Sequence, residues 1–375
     1  MKKNLFGLLS LCMGIALISS CNTESDPVIV EVPVSDGAYV VGSGNMSAGI
    51  DGSLTYYDYA SSTAKQNAFA SANGKSLGLT ANDAMRYGNK FYIVVDNEHT
   101  VFVTDAKNLK IIKAINTAEL MGEADGAHPR CITAYEGNIY VSTYGGYVAA
   151  IDTVNYNLTK KYKAGSYPEG LLVTGGVLFV ANSDRSQGKN ASISQINLST
   201  GNDNPIVNQN IRNPQQLAIA GQDLYFLDYG QYGPAPTYAQ ENAGVYCISG
   251  NSVNRVIPDA TGWACAGTKI YTYNSPYGSS STTYSVFDIA NKSMSSFNPE
   301  GIDSPAAIGV DPVSGDVFIA SYHLTTSDWG TYADYFSPGY VNIYDNNVNN
   351  MKNTFTCGVG PTRITFNVSS AFVEY

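Results

Sequence analysis

Charge is scarce in this sequence: Asp, Glu, Lys and Arg together make up 14% of its 375 residues, and histidine occurs three times. Around His99, His128 and His323 there is no HExxH helix motif, no G-x-S-x-G elbow and no Gly-rich phosphate loop. The expectation from these absences is a protein that is not an enzyme. Cysteine is thin as well. Beyond Cys21 there are Cys131, Cys247, Cys265 and Cys357, none of them in a CxxC pair, so the usual spacing of zinc ligands is missing and no metal site is expected. Their scatter over separate repeats reads as four small buried thiols rather than a disulfide framework. Long apolar runs are also lacking, except one at the N-terminus. Leu5 to Ile18 is too short to span a bilayer as a stable helix.

That run has the layout of an export signal. Lys2 and Lys3 precede it, and Ile18-Ser19-Ser20-Cys21 follows, resembling the lipobox of bacterial lipoproteins. The resemblance implies cleavage before Cys21 and lipidation of that residue; the alternative is an ordinary signal peptide with an incidental cysteine. The polar stretch Asn22-Thr23-Glu24-Ser25-Asp26-Pro27 favours lipidation, and its acids resemble the surface-export signals of Bacteroidota lipoproteins. The expected organisation is a signal peptide over 1–20, an anchored linker over 21–36 and one folded unit over 37–375. Removing residues 1–20 takes two of 21 basic residues and none of the 31 acidic ones, leaving a net charge of −12. That balance opposes phosphate backbones and anionic lipid surfaces, so nucleic acid is excluded as a partner.

What is abundant is tyrosine (28), glycine (36) and a short unit that recurs seven times. Each unit is a Gly-containing turn followed by an apolar strand centred on an aromatic: Tyr39, Tyr92, Tyr140, Phe179, Tyr225, Tyr271 and Phe318. Pro129, Pro168 and Pro214 stand eleven residues before three of these rings, and a second apolar strand ending in a polar turn follows each. Several short strands per 40- to 50-residue period, without helical periodicity, predict an all-β, seven-bladed β-propeller. A parallel β-helix would need shorter coils and fewer hairpin turns. The first unit lacks an inner strand, while Gly360-Pro361-Thr362-Arg363-Ile364-Thr365-Phe366 copies His128-Pro129-Arg130-Cys131-Ile132-Thr133-Ala134. The C-terminal strand is therefore expected to complete the N-terminal blade and remove an exposed edge.

Loop lengths separate the two rims. Inner strand to aromatic is nearly constant, so one rim holds tight hairpins. From the aromatic to the next polar turn the count runs 19, 13, 12, 18, 24, 17 and 27 residues, which places the variable loops on the other rim. Those loops carry Asp228, Tyr229, Tyr277, Tyr322 and Trp329, and the residues opening the inner strands include Asp83, Arg130, Glu169, Gln215, Trp263 and Arg363. Tyr and Trp offer rigid contact area with a polar tip, the make-up of a binding surface. The candidate ligand-binding set is Arg130, Gln215, Asp228, Tyr229, Trp263, Tyr277, Tyr322, Trp329 and Arg363. The bland alternative is that the rings pack the long loops and the polar groups line a water-filled axis.

Gly37-Ala38-Tyr39-Val40-Val41-Gly42-Ser43-Gly44-Asn45, followed by Gly52-Ser53-Leu54-Thr55-Tyr56-Tyr57-Asp58, resembles the start of the surface propeller lipoproteins of Bacteroidota that capture cobalamin (BtuG-type). The repeats are also similar to bacterial propellers of the YVTN or surface-layer type. The resemblance implies a lipid-anchored protein at the cell surface of the outer membrane that binds cobalamin or a related corrinoid, as cargo rather than as a cofactor, and passes it to a TonB-dependent transporter. The D-x-H-x-x-G pattern of enzymes that replace the lower corrinoid base is absent, so binding is expected by shape and hydrogen bonds unless His323 reaches the cobalt. Two other readings stay open: an adhesin or scaffold for protein or glycan, and a lyase or lactonase-type propeller with a bound calcium or a catalytic carboxylate in its channel.

Overall fold

The computed structural model describes residues 29–234, 240–250, 252–276, 281–328 and 330–374. Seven small antiparallel sheets follow one another along the chain. Their inner strands are Pro361–Glu374, Ala81–Tyr87, Pro129–Tyr135, Pro168–Thr174, Pro214–Ala220, Gly262–Ala266 and Ser304–Val310. These seven are the blades of a β-propeller, numbered here 1 to 7 in that order. The predicted aromatics all lie on the second strand of a blade, as in Lys90–Val95 and Asn138–Thr143.

The alternation of side chains along those second strands explains the ring. In Ile29–Gly42, Tyr39 packs with Phe91 of blade 2, while Ala38 and Val40 pack with Phe318 of blade 7. A lone blade would leave one of these faces wet, so each sheet needs two neighbours. Buried apolar clusters fill the contacts between successive blades, from Tyr92 with Ile139 through Tyr140 with Leu178 to Tyr271 with Ile319.

Closure is made by the C-terminal strand. Pro361–Glu374 pairs antiparallel with Ile29–Gly42, with Arg363 opposite Val41 and Phe366 opposite Ala38. The pairing runs further than the repeat pattern required. Ile29 to Ser35 lie opposite Glu374 to Val368, so part of the stretch expected to be linker is a two-stranded ribbon. Beside the ribbon's base, Ser35 donates to Asp311 at 2.9 Å and Arg86 to Asn367 at 2.9 Å. Both partners flank tight hairpins, so the ribbon leaves from the tight-hairpin rim.

Three further departures have local causes. Blade 4 has three full strands, and single bridges from Ile193 to Ile206 and Ile196 to Asp203 stand in for the fourth. The loops entering blades 2 and 3 hold short helices, Ala68–Asn73, Thr117–Met121 and Glu123–Gly126, too brief to show a helical period in sequence. Hairpins Gln231–Tyr232/Gln240–Glu241 and Leu324–Ser327/Gly330–Ala333 rise within the long loops of blades 5 and 7. No helix among the described residues is long and apolar enough to cross a membrane. Cys131, Cys247, Cys265 and Cys357 are all free thiols, the first and third half-buried and the others buried.

Candidate functional site

Two backbone devices, repeated from blade to blade, build the mouth of the axial channel on the long-loop rim. The first is a left-handed residue at the entrance to an inner strand: Thr80, His128, Tyr167 and Gly360 have φ between 51° and 65°. Its carbonyl turns back to accept the N–H just beyond the second strand, as in Asp96 to Thr80 (2.9 Å), Tyr144 to His128 (3.1 Å) and Ser183 to Tyr167 (3.0 Å). Gly suits this geometry, whereas a β-carbon costs energy there, so His128 is held by its surroundings. The second device is a β-bulge. Register slips between Pro129 and Ile132, Pro168 and Leu171, and Pro214 and Gln216. An extra residue re-aims the side chains beside it, and the residues so placed are Arg130, Glu169 and Gln215.

These side chains meet around a channel of about 520 Å³ lined by the inner strands and by Tyr229 and Tyr273. Arg130, Gln215, Tyr229, Trp263 and Arg363 of the sequence-derived set are all brought to it. Arg130 Nη1 contacts Asp96 Oδ2 at 2.5 Å and its Nε contacts Glu169 Oε2 at 3.0 Å. Its guanidinium lies 4.5 Å over the Tyr144 ring, and the Tyr144 hydroxyl donates to Glu169 at 2.5 Å. Burial works against the Arg130 charge, and Glu169, Tyr144 and Asp96 outweigh it, so the group is held cationic. On the neighbouring blades Arg363 Nε contacts Asp83 Oδ1 at 3.1 Å. Trp263 Nε1 donates to Gln216 at 2.8 Å, and Gln215 donates to Asn213 at 2.6 Å. Burial pushes the Tyr229 and Tyr322 hydroxyls up to about 12, so both remain neutral donors.

Tyr322 stands farther out and packs edge-on against Tyr335 at 4.9 Å. Asp228 differs from its expected role. It is fully buried, and its carboxylate accepts the backbone N–H of Arg212, Asn213 and Gly230 at 2.7–2.9 Å. Its oxygens are turned to its own loops, so it shapes the mouth without facing it. Tyr277, Trp329 and Cys21 lie outside the described residues.

Sequence reasoning passed over Asp96, whose two oxygens join His128 to Arg130. His128 Nδ1 lies 2.6 Å from Asp96 Oδ1, and the His128 backbone N–H donates to His99 Nδ1 at 3.0 Å. The two imidazoles meet edge to face at 4.9 Å. Asp96 is 34 residues from Arg130 and sits in a turn, with no local signal of its own. The repeat frame was the available clue, since Asp96, Tyr144 and Tyr229 occupy equivalent places just past the second strand. Among the described residues no group of three or more His, Cys, Asp or Glu is arranged to hold a metal ion.

Residues 36–213 match a family model described as "Domain of unknown function (DUF5074)". No curated protein matches the sequence. Among solved structures, the hydrazine synthase of Kuenenia stuttgartiensis is similar at 14% identity and a TM-score of 0.58, over 79% of this chain and 95% of that one. A provisionally named 6-phosphogluconolactonase from Bacteroides fragilis NCTC 9343 is similar at 11% identity and a TM-score of 0.55, over 88% and 98%. Another from Bacteroides uniformis ATCC 8492 is similar at 10% and 0.54, over 89% and 100%. At these identities the likeness is one of fold. It corrects one expectation nonetheless. The missing catalytic motifs implied a protein that is not an enzyme, yet the same scaffold carries enzyme names in these structures. Active sites on such a ring are assembled from different blades, so missing local motifs do not remove catalysis.

Proposed function

We propose that this propeller captures a corrinoid across the mouth of its axial channel on the long-loop rim, as a surface lipoprotein that passes the cargo to a TonB-dependent transporter. The observation that carries the reading is the composition of the mouth. Amide and guanidinium groups (Gln215, Gln216, Arg130, Arg363) line one opening together with the half-buried Tyr229 ring and the largely buried rings of Trp263 and Tyr273, which cluster on blades 5 and 6. A corrin is a broad disc with an apolar face and an edge of amide side chains. It is too broad to enter a channel of about 520 Å³, so it would lie across the opening. The half-buried Tyr229 ring would then pack on part of its face while fixed polar groups pair with its edge. Most of those polar groups are already held by neighbours, which lowers the cost of ordering them on binding.

The ribbon bears on delivery. It leaves the tight-hairpin rim, and seven residues separate Ile29 from Cys21, a reach of about 25 Å when extended. A lipid on Cys21 would tether that rim to the membrane and leave the mouth turned outward, toward incoming cargo. Handover would then require the body to tilt on its short tether. Isothermal titration with cyanocobalamin tests the reading: saturable binding supports it, and an absence of binding heat by folded protein overturns it.

A further inference from the structure

The imidazole of His128 has more structure behind it than a rim residue needs. Its Nδ1 is fixed on the Asp96 carboxylate at 2.6 Å, and the same carboxylate grips Arg130. With Asp96 accepting, a ring that bears one proton holds it on Nδ1 and leaves Nε2 its lone pair. No described residue partners Nε2, and the side chain is 48% exposed. His99 has the opposite arrangement. Its Nδ1 accepts from the His128 backbone, so its Nε2 bears the hydrogen and can only donate. One lone pair and one N–H therefore belong to two rings in edge-to-face contact on the long-loop rim. Both residues hold left-handed backbones, with φ of 56° and 46°, conformations that cost energy unless neighbours impose them.

A carboxylate bonded to one imidazole nitrogen while the other is free is the arrangement that orients and strengthens a histidine metal ligand. With no second ligand arranged beside it, the site suits a metal that arrives with its own equatorial donors and one exchangeable axial position. We infer that His128 Nε2 is an axial ligand for the metal centre of the captured cargo, with Asp96 as its positioning residue. This rests on the corrinoid reading above, in which the cobalt of the macrocycle is that centre. On binding, a cobalt–nitrogen bond forms and a cobalt-bound water leaves with its own electron pair, so there is no change of oxidation state. His323 is less suited: its Nδ1 is 3.7 Å from Asp303, beyond hydrogen-bonding distance, and its ring packs on Tyr340 at 4.7 Å.

The experiment pairs calorimetry with visible absorption on the full chain, using aquocobalamin, whose water exchanges, and cyanocobalamin, whose cyanide is held firmly. The wild type should bind both, and only the aquocobalamin spectrum should change, to that of an imidazole adduct. His128→Ala should still bind cyanocobalamin, which shows that it is folded, and leave the aquocobalamin spectrum unchanged. Asp96→Asn should weaken the aquocobalamin complex about tenfold or more while the adduct spectrum remains. Binding of aquocobalamin by the wild type without a spectral change overturns the ligation and leaves the corrinoid reading standing. A spectral change that persists in His128→Ala also overturns it, by assigning the bond to another residue. No binding of either cobalamin removes both.

Discussion

Arg363 of the closing strand lies 3.1 Å from Asp83, which opens the inner strand of blade 2, so the last strand of the ring is tied to the blade beyond the one it completes. Asp83 is 4% exposed and also accepts the backbone N–H of Ala84 and of Ile132 in blade 3. One carboxylate thus joins blades 1, 2 and 3 at the seam. Removing Arg363 leaves the buried Asp83 carboxylate without its cation; because the Arg363 side chain is 41% exposed, the cost is about 1–2 kcal/mol, between a surface and a buried pair. Arg363→Ala should therefore lower the urea midpoint clearly, and adding Asp83→Asn should recover part of the loss. Equal, additive losses would mean that the two residues do not act as a pair.

Closure itself is tested by truncation. A chain stopped before Pro361 loses the inner strand of blade 1 and exposes the edge of Ile29–Gly42 that it covered. Its melting temperature should fall by about 10 °C or more, with aggregation. Stopping instead at Ser369 removes the ribbon's partner strand and leaves the blade pairing from Ala38 to Gly42, so the melting temperature should change little. Equal effects of the two truncations would contradict the separation of ribbon from blade.

Asp228 gives a pH prediction. Burial raises its carboxyl from 3.8 to about 6, against the lowering effect of three backbone N–H groups. A group with a raised folded pKa holds its proton more tightly in the native state. Its contribution is thus most favourable below pH 4 and is lost as pH rises from about 4 to 6, by about 3 kcal/mol in all. Asp228→Asn should flatten that part of the stability–pH curve, at a constant cost from turning one acceptor away from a backbone donor. Denaturant titrations at pH 4, 5, 6 and 7 check it, and an unchanged slope in the variant counts against the assignment.

The proposed anchor is tested separately. Cys21→Ala should move the protein from the membrane fraction to the soluble fraction of cells. Continued sedimentation with membranes would contradict lipidation at that residue.

The fold was readable because its signal is repeated. Tyr39, Tyr92 and the five rings that match them each sit where one strand feeds two blade interfaces, and Pro361 to Phe366 copies a strand the first repeat lacks. The ribbon was not readable, because Ile29 to Ser35 makes its pairing only with the far end of the chain. The site was legible in part. Arg130, Gln215 and Arg363 could be named because each opens an inner strand, and the bulges then aim them at the axis. Asp228 was misjudged because an acid in a long loop looks the same in sequence whether it faces solvent or clamps three N–H groups. The Asp96–His128 pair was missed because turns from different blades meet only once the ring has closed.

The most direct test of the central claim, that the long-loop mouth holds a corrinoid, is titration of cyanocobalamin against matched variants on the two rims. Tyr229→Ala and Arg130→Ala alter the mouth, and Asn138→Ala and Asp316→Ala alter the tight-hairpin rim, where the Asn138 side chain bonds Thr159 and Glu136 and Asp316 pairs with Lys352. Truncating an anchor of a binding surface costs about 2 kcal/mol, or roughly thirtyfold in affinity. The prediction is losses of that size for the first pair and less than about twofold for the second. Losses confined to the second pair, or no binding by the wild type, would contradict it.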